Sequence, residues 1–191
     1  MQDHDIERLR KNLVTKLNFE MGNTPAIVDF AIKIEPDEVC LVPEMREEIT
    51  TEGGLDVVAN RKTLAPTVKR LQAAGVRVSL FVEPAREQID ASAALGVEIV
   101  ELHTGKLANA FTEKFEKQEL DRLREAAIRA SNLNLQVNAG HGINYRNIAL
   151  VHKIPKLTEL NIGHSIVSRA LTVGFETAVR EMLKLMENYR G

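Results

Sequence analysis

The residues best placed to do chemistry stand in Leu135-Gln-Val-Asn-Ala-Gly-His-Gly-Ile-Asn144. A short apolar run passes straight into a histidine with glycine on either side. The backbone is free to turn there and to leave the imidazole of His141 at the C-terminal end of a strand. Parallel α/β folds keep their chemistry at such ends. About twenty residues on, Glu159-Leu-Asn-Ile-Gly-His-Ser165 repeats the arrangement and runs into a helix start. Gly163-His164-Ser165 then offers unpaired N–H donors and a favourable dipole, although a plain helix N-terminus capped by Ser165 would read the same way. Two neighbouring strand ends of this kind suit binding of an anion, most simply a substrate phosphate, beside a proton donor.

Other candidates stand apart from this pair. Glu20 closes the run Lys16-Leu-Asn-Phe-Glu-Met21, where burial among apolar neighbours would raise its pKa and make it a general base; the alternative is a strand-end glutamate paired to a lysine. Alternation puts Glu101 and His103 on one face of their strand and Leu102 on the other, either as an inward functional pair or as a structural ion pair. His4 and His152 read as solvated helical positions, and the lone Cys40 as a buried core thiol. No spacing of histidines, cysteines or carboxylates suggests a metal.

Six short runs begin near residues 16, 38, 77, 97, 135 and 159, each followed by a helical pattern. Thr24-Pro25 starts one helix, Gly75 and Gly96 end two others, and Glu113 to Asn132 forms the longest. The runs read as apolar strands covered on both faces of a parallel sheet built from right-handed βαβ units. An open doubly wound sheet and a (β/α) barrel both fit. No glycine-rich nucleotide fingerprint opens a helix, and Glu20, Glu44, Glu101, His141 and His164 come from five strand ends, which suits a barrel mouth. The polar stretch Glu44 to Gly54 is the longest predicted loop.

With 191 residues, 44% hydrophobic content and a formal net charge of −2, the chain suits one globular domain. That balance offers no electrostatic case for nucleic acid or an anionic membrane. The sequence shows no apolar run of membrane-spanning length and no leader pattern, so a cytoplasmic protein is expected.

The motifs Leu17-Asn-Phe-Glu-Met21, Cys40-Leu-Val-Pro-Glu44, Thr50-Thr-Glu-Gly-Gly-Leu-Asp56, Glu101-Leu-His-Thr-Gly105, Val137-Asn-Ala-Gly-His-Gly142 and Leu160-Asn-Ile-Gly-His164 resemble, in order and spacing, the pyridoxine 5′-phosphate synthase family. The resemblance implies a TIM barrel that condenses 3-amino-2-oxopropyl phosphate with 1-deoxy-D-xylulose 5-phosphate, without metal or organic cofactor, as a homo-oligomer. It further implies Glu20 as general base, His141 as general acid and Glu101 as the group stabilising developing charge. Thr50 would contact the deoxyxylulose phosphate, and Gly142, Gly163 and His164 the aminoketone phosphate.

A full barrel has eight βα units and roughly 250 residues. The expectation is therefore one barrel domain over residues 1–191 with about six units, the family's first two being absent together with the arginine and histidines they carry. Two alternatives follow: a catalytically silent barrel that binds phosphate or partners intact subunits, and a different phosphate-binding barrel enzyme.

Overall fold

The computed structural model describes residues 2–43, 53–187 and 189. Thr50 and Glu44 lie outside the described residues. Six strands form one parallel sheet: β1 (Asn18–Met21), β2 (Glu38–Leu41), β3 (Arg77–Val82), β4 (Ile99–His103), β5 (Gln136–Gly140) and β6 (Leu157–Asn161). Their spatial order is their sequence order, and every neighbouring pair is parallel. A doubly wound sheet would reverse direction at a switch point. This sheet never reverses, so it winds one way around an axis as part of a (β/α) barrel.

The helices sit where the sequence signals place them. Before β1 comes α1 (Asp3–Asn12), with two acids in its first turn and two bases in its last. In α2 (Pro25–Ile34), Thr24 caps the start and accepts from the Ile27 N–H. Asp56 does the same for α3 (Val57–Ala73), accepting from Ala59 N–H at 3.0 Å. After α4 (Arg86–Leu95), Gly96 takes the left-handed conformation that ends the helix. A short α5 (Gly105–Ala108) follows β4, and α6 (Glu113–Asn132) is capped by Thr112. The set is completed by α7 (Ile148–Val151), α8 (His164–Val173) and α9 (Phe175–Met186).

Core and interior divide by strand face. The outward side chains Val39, Leu41, Val78, Leu80, Val100, Leu102, Val137 and Ala139 are buried against Val68, Leu71, Leu123 and Ala127 of the helices. The inward face is not apolar, which corrects the expectation of strands apolar throughout. Glu38, Ser79, Glu101, His103 and Asn138 are buried there. A short apolar window averages over both faces, so one polar residue in two is easily overlooked. At the N-terminal end of this interior, Lys16 bonds both Glu38 and Glu159, and Arg77 reaches Glu38 and Gln136. Lys16 precedes β1 and Glu159 belongs to β6, so one ammonium ties the two outermost strands across the axis.

Candidate active site

The C-terminal ends of the strands open into a cavity of about 1560 Å³ whose wall includes Glu20, Glu101, His141, Gly142, Gly163 and His164. Glu20, Glu101, His141, Gly142, Gly163 and His164 thus reach one place, whereas His103 does not line it.

The β5 end turns as its glycines suggest, but the histidine shares the strain. Both His141 (φ 77°) and Gly142 (φ 78°) are left-handed, an uncommon conformation for a residue with a Cβ and one concentrated at functional sites. Hydrogen bonds fix the turn from both sides. Thr104, buried at the end of β4, has its one hydroxyl proton within reach of the carbonyls of both Gly140 (2.8 Å) and His141 (2.6 Å). The Asn147 side-chain amide donates to the Gly142 carbonyl at 3.0 Å, and its oxygen accepts from Asn144 N–H at 2.8 Å. Thr104 stands inside the Glu101–Gly105 motif without a role of its own, and no motif points to Asn147.

The β6 end runs into an uncapped helix start. Gly163 is the N-cap of α8, with no side chain capping it and no acid in the first turn. Its first N–H groups therefore lack intrahelical partners at the positive end of the dipole, and Gly163, His164 and Ser165 line the cavity. Ser165 is not the cap; its Oγ donates to the Ile143 carbonyl at 2.8 Å and so joins the two Gly-His loops. His164 is exposed beside them.

Glu101 is the perturbed carboxyl. It is 2% exposed, and burial, reinforced by the nearby Glu20, pushes its pKa up to about 7 despite hydrogen bonds from Asn161 and Cys40. Asn161 Nδ2 donates to it at 2.6 Å, and the Cys40 thiol lies 3.4 Å away. A carboxyl poised near neutrality can give or take a proton at working pH. Glu20 differs from its expectation, because its side chain is exposed on the cavity wall rather than buried among apolar groups. It stands on an outermost strand of the sheet, and sequence alone did not show how little would cover it. The two carboxylates keep distinct environments, one enclosed and one exposed.

Glu101 and His103 share a face, as alternation predicts, but do not pair. His103 is buried and bonds Glu83, just past β3, at 2.7 Å. Glu83 had no signal in the sequence beyond ending an apolar run. Burial would raise its pKa, but hydrogen bonds from His103 and Lys106 pull it down to about 2. His152 also departs from expectation: it is half-buried, with Nε2 enclosed and its ring 5.9 Å from that of Tyr189. Among the described residues no three metal-capable side chains gather, and no helix is long and apolar enough to cross a membrane.

The chain matches, over residues 1–188, the family described as pyridoxal phosphate biosynthesis protein PdxJ. It is 54% identical over 188 residues to the pyridoxine 5′-phosphate synthase of Akkermansia muciniphila, covering 98% of this chain and 76% of that one. To the synthase of Opitutus terrae it is 53% identical over 183 residues, 95% of this chain and 74% of the relative. The Legionella pneumophila (strain Corby) synthase is 47% identical over 190 residues, 100% and 77%. Among solved structures, the tryptophan synthase A-subunit of Pyrococcus furiosus superposes with a TM-score of 0.62 at 15% identity, covering 97% of this chain and 71% of its own. That likeness concerns the fold alone.

Proposed function

The chain belongs to the PdxJ family of pyridoxal phosphate biosynthesis proteins, and from that premise we propose how it works as a pyridoxine 5′-phosphate synthase. It condenses 3-amino-2-oxopropyl phosphate with 1-deoxy-D-xylulose 5-phosphate, giving pyridoxine 5′-phosphate, inorganic phosphate and water. The observation that carries the reading is the meeting of two Gly-His strand ends with the near-neutral Glu101 carboxyl in one cavity.

In this reading Gly142, Gly163 and His164 hold the aminoketone phosphate, using N–H groups at the start of α8 and in the left-handed turn. Fixing that phosphate places the substrate amine near the second ketone, which converts a two-body encounter into an oriented one. As the amine adds to the carbonyl, Glu20 takes the proton released from nitrogen. His141 then protonates the carbinolamine hydroxyl, which leaves as water. Glu101, in its ionised form, stabilises the positive charge developing on the imine nitrogen. Thr50 contacts the deoxyxylulose phosphate. The protein works as a single barrel domain in a cytoplasmic homo-oligomer, with phosphorylated small molecules as its substrates.

The test is to incubate the purified protein with both ketophosphates and follow pyridoxine 5′-phosphate and inorganic phosphate together. Appearance of both, only when both substrates are present, is the expected result. Phosphate binding without product would replace this reading with that of a catalytically silent barrel.

A further inference from the structure

We propose that the half-buried Glu83 and the buried His103 form a carboxylate–imidazole pair that positions His141 and favours its protonated form. The inference rests on His141 serving as the acid of the condensation.

Glu83 Oε1 accepts from His103 Nδ1 at 2.7 Å, which places the ring proton on Nδ1 and leaves Nε2 as the acceptor edge. Glu83 Oε2 is held by Lys106 at 2.8 Å, with Arg122 at 3.7 Å. The carboxylate is thus fixed independently of the histidine it orients. Phe81 meets the His103 ring edge-on at 5.1 Å, so the imidazole has little freedom to turn. Its Nε2 is fully buried and has no hydrogen-bond partner. Protonating that nitrogen would bury an N–H with no acceptor, which is unfavourable. The Nδ1–H tautomer avoids this.

The unpartnered edge lies toward His141. A Cβ on Gly105 would come within 2.6 Å of His103 Nε2 and 3.0 Å of His141 Cδ2. Glycine at 105 is therefore what lets the two rings approach, with centroids 4.9 Å apart and planes tilted by 56°. The face offered to His141 is the negative end of the His103 dipole, backed by the Glu83 carboxylate, and it attracts an imidazolium. Other charged groups also act on His141. Glu101, Glu20, His164 and Arg169 line its cavity, and Lys106 and Arg122 stand beyond Glu83. Glu83 and His103 are positioning residues in this scheme, because they act through His141.

The experiment is an NMR pH titration of the His141 imidazole in the full chain, comparing wild type with Glu83→Gln, Glu83→Asp and Lys106→Met. Glutamine keeps an oxygen for the His103 Nδ1–H but removes the charge, so His141 should bind its proton about threefold more weakly. Aspartate should restore much of the difference. Lys106→Met leaves Glu83 less neutralised and should strengthen proton binding at His141, a sign that loss of packing would not produce. Lys106 is half-exposed, so that variant decides the matter if Glu83→Gln fails to fold. A His141 titration that stays unchanged in the folded variants would overturn the proposal. Because the readout is the titration of His141 itself, this outcome is separate from a failed product assay.

Discussion

Glu101 on β4 and Asn161 on β6 are hydrogen-bonded at 2.6 Å although β5 lies between them. The contact is possible because the β5 residue opposite is Gly140, where a Cβ would come 2.0 Å from Glu101 Oε1. One glycine therefore sets where the cavity's least acidic carboxyl sits, and one amide moderates its titration.

Gly140→Ala should displace that carboxyl. The Glu101–Asn161 bond would be lost or strained, at about 1–3 kcal/mol of stability. Chemical denaturation measures the loss, and turnover should fall with it. An alanine variant as stable and active as wild type would mean that Glu101 tolerates several positions.

The raised pKa of Glu101 makes a signed prediction about stability. Its folded value of about 7 exceeds the ordinary 4.5, so the folded chain binds this proton more tightly than the unfolded one. The contribution is fully present below pH 4.5 and is lost as pH rises through 7. Across that window the wild type should lose up to about 3 kcal/mol that Glu101→Gln does not lose. Denaturant titrations at pH 5 and pH 8 compare the two, and parallel pH dependence would refute the assignment. Glu83 has the opposite sign: its stabilisation is present above 4.5 and is lost as pH falls toward its folded value of about 2.

Much of this was legible in the chain itself. The α6 bounds Glu113 and Asn132 agree with the Thr112 cap and with the turn at Leu133 and Asn134, the latter at a left-handed φ of 62°. Strand and helix alternation leaves a doubly wound sheet and a barrel both open; the absent nucleotide fingerprint and the polar residues at five strand ends favour the barrel, and the unreversed strand order is what decides it. The twin Gly-His ends were visible because glycine before histidine leaves a local trace. Contacts across strands leave none. Glu83 and His103 lie 20 residues apart in sequence and meet only through the β3–β4 register. The exposure of Glu20 likewise depends on what stands beside β1, which no local pattern encodes.

Thr104→Val keeps the side chain's shape and removes its hydroxyl. The one hydroxyl proton shared by the Gly140 and His141 carbonyls would be gone; Gly140 keeps the Thr104 backbone N–H at 2.9 Å, so the loss falls mainly on His141 and costs about 1–3 kcal/mol. Because that hydroxyl braces a left-handed histidine, kcat should fall more than KM rises. Steady-state kinetics beside a thermal melt separates the two effects, and a variant with altered stability but wild-type kcat would remove Thr104 from the turn's support.

His141→Asn should abolish turnover while phosphate binding persists, since the anion site rests mainly on the backbone N–H groups of the Gly-His loops. The acid's absence alone should lower kcat by about a hundredfold or more. Near-normal turnover in this variant would take the acid role away from His141.

The most direct measurement of the central claim, that the β5 and β6 ends together hold a phosphorylated substrate beside His141 and Glu101, is amide NMR during titration with 3-amino-2-oxopropyl phosphate. The account predicts that the signals of Gly142, Gly163, His164 and Ser165 move together at one saturating concentration, while those of α1 stay still. Shifts centred elsewhere, or confined to one of the two loops, would contradict it.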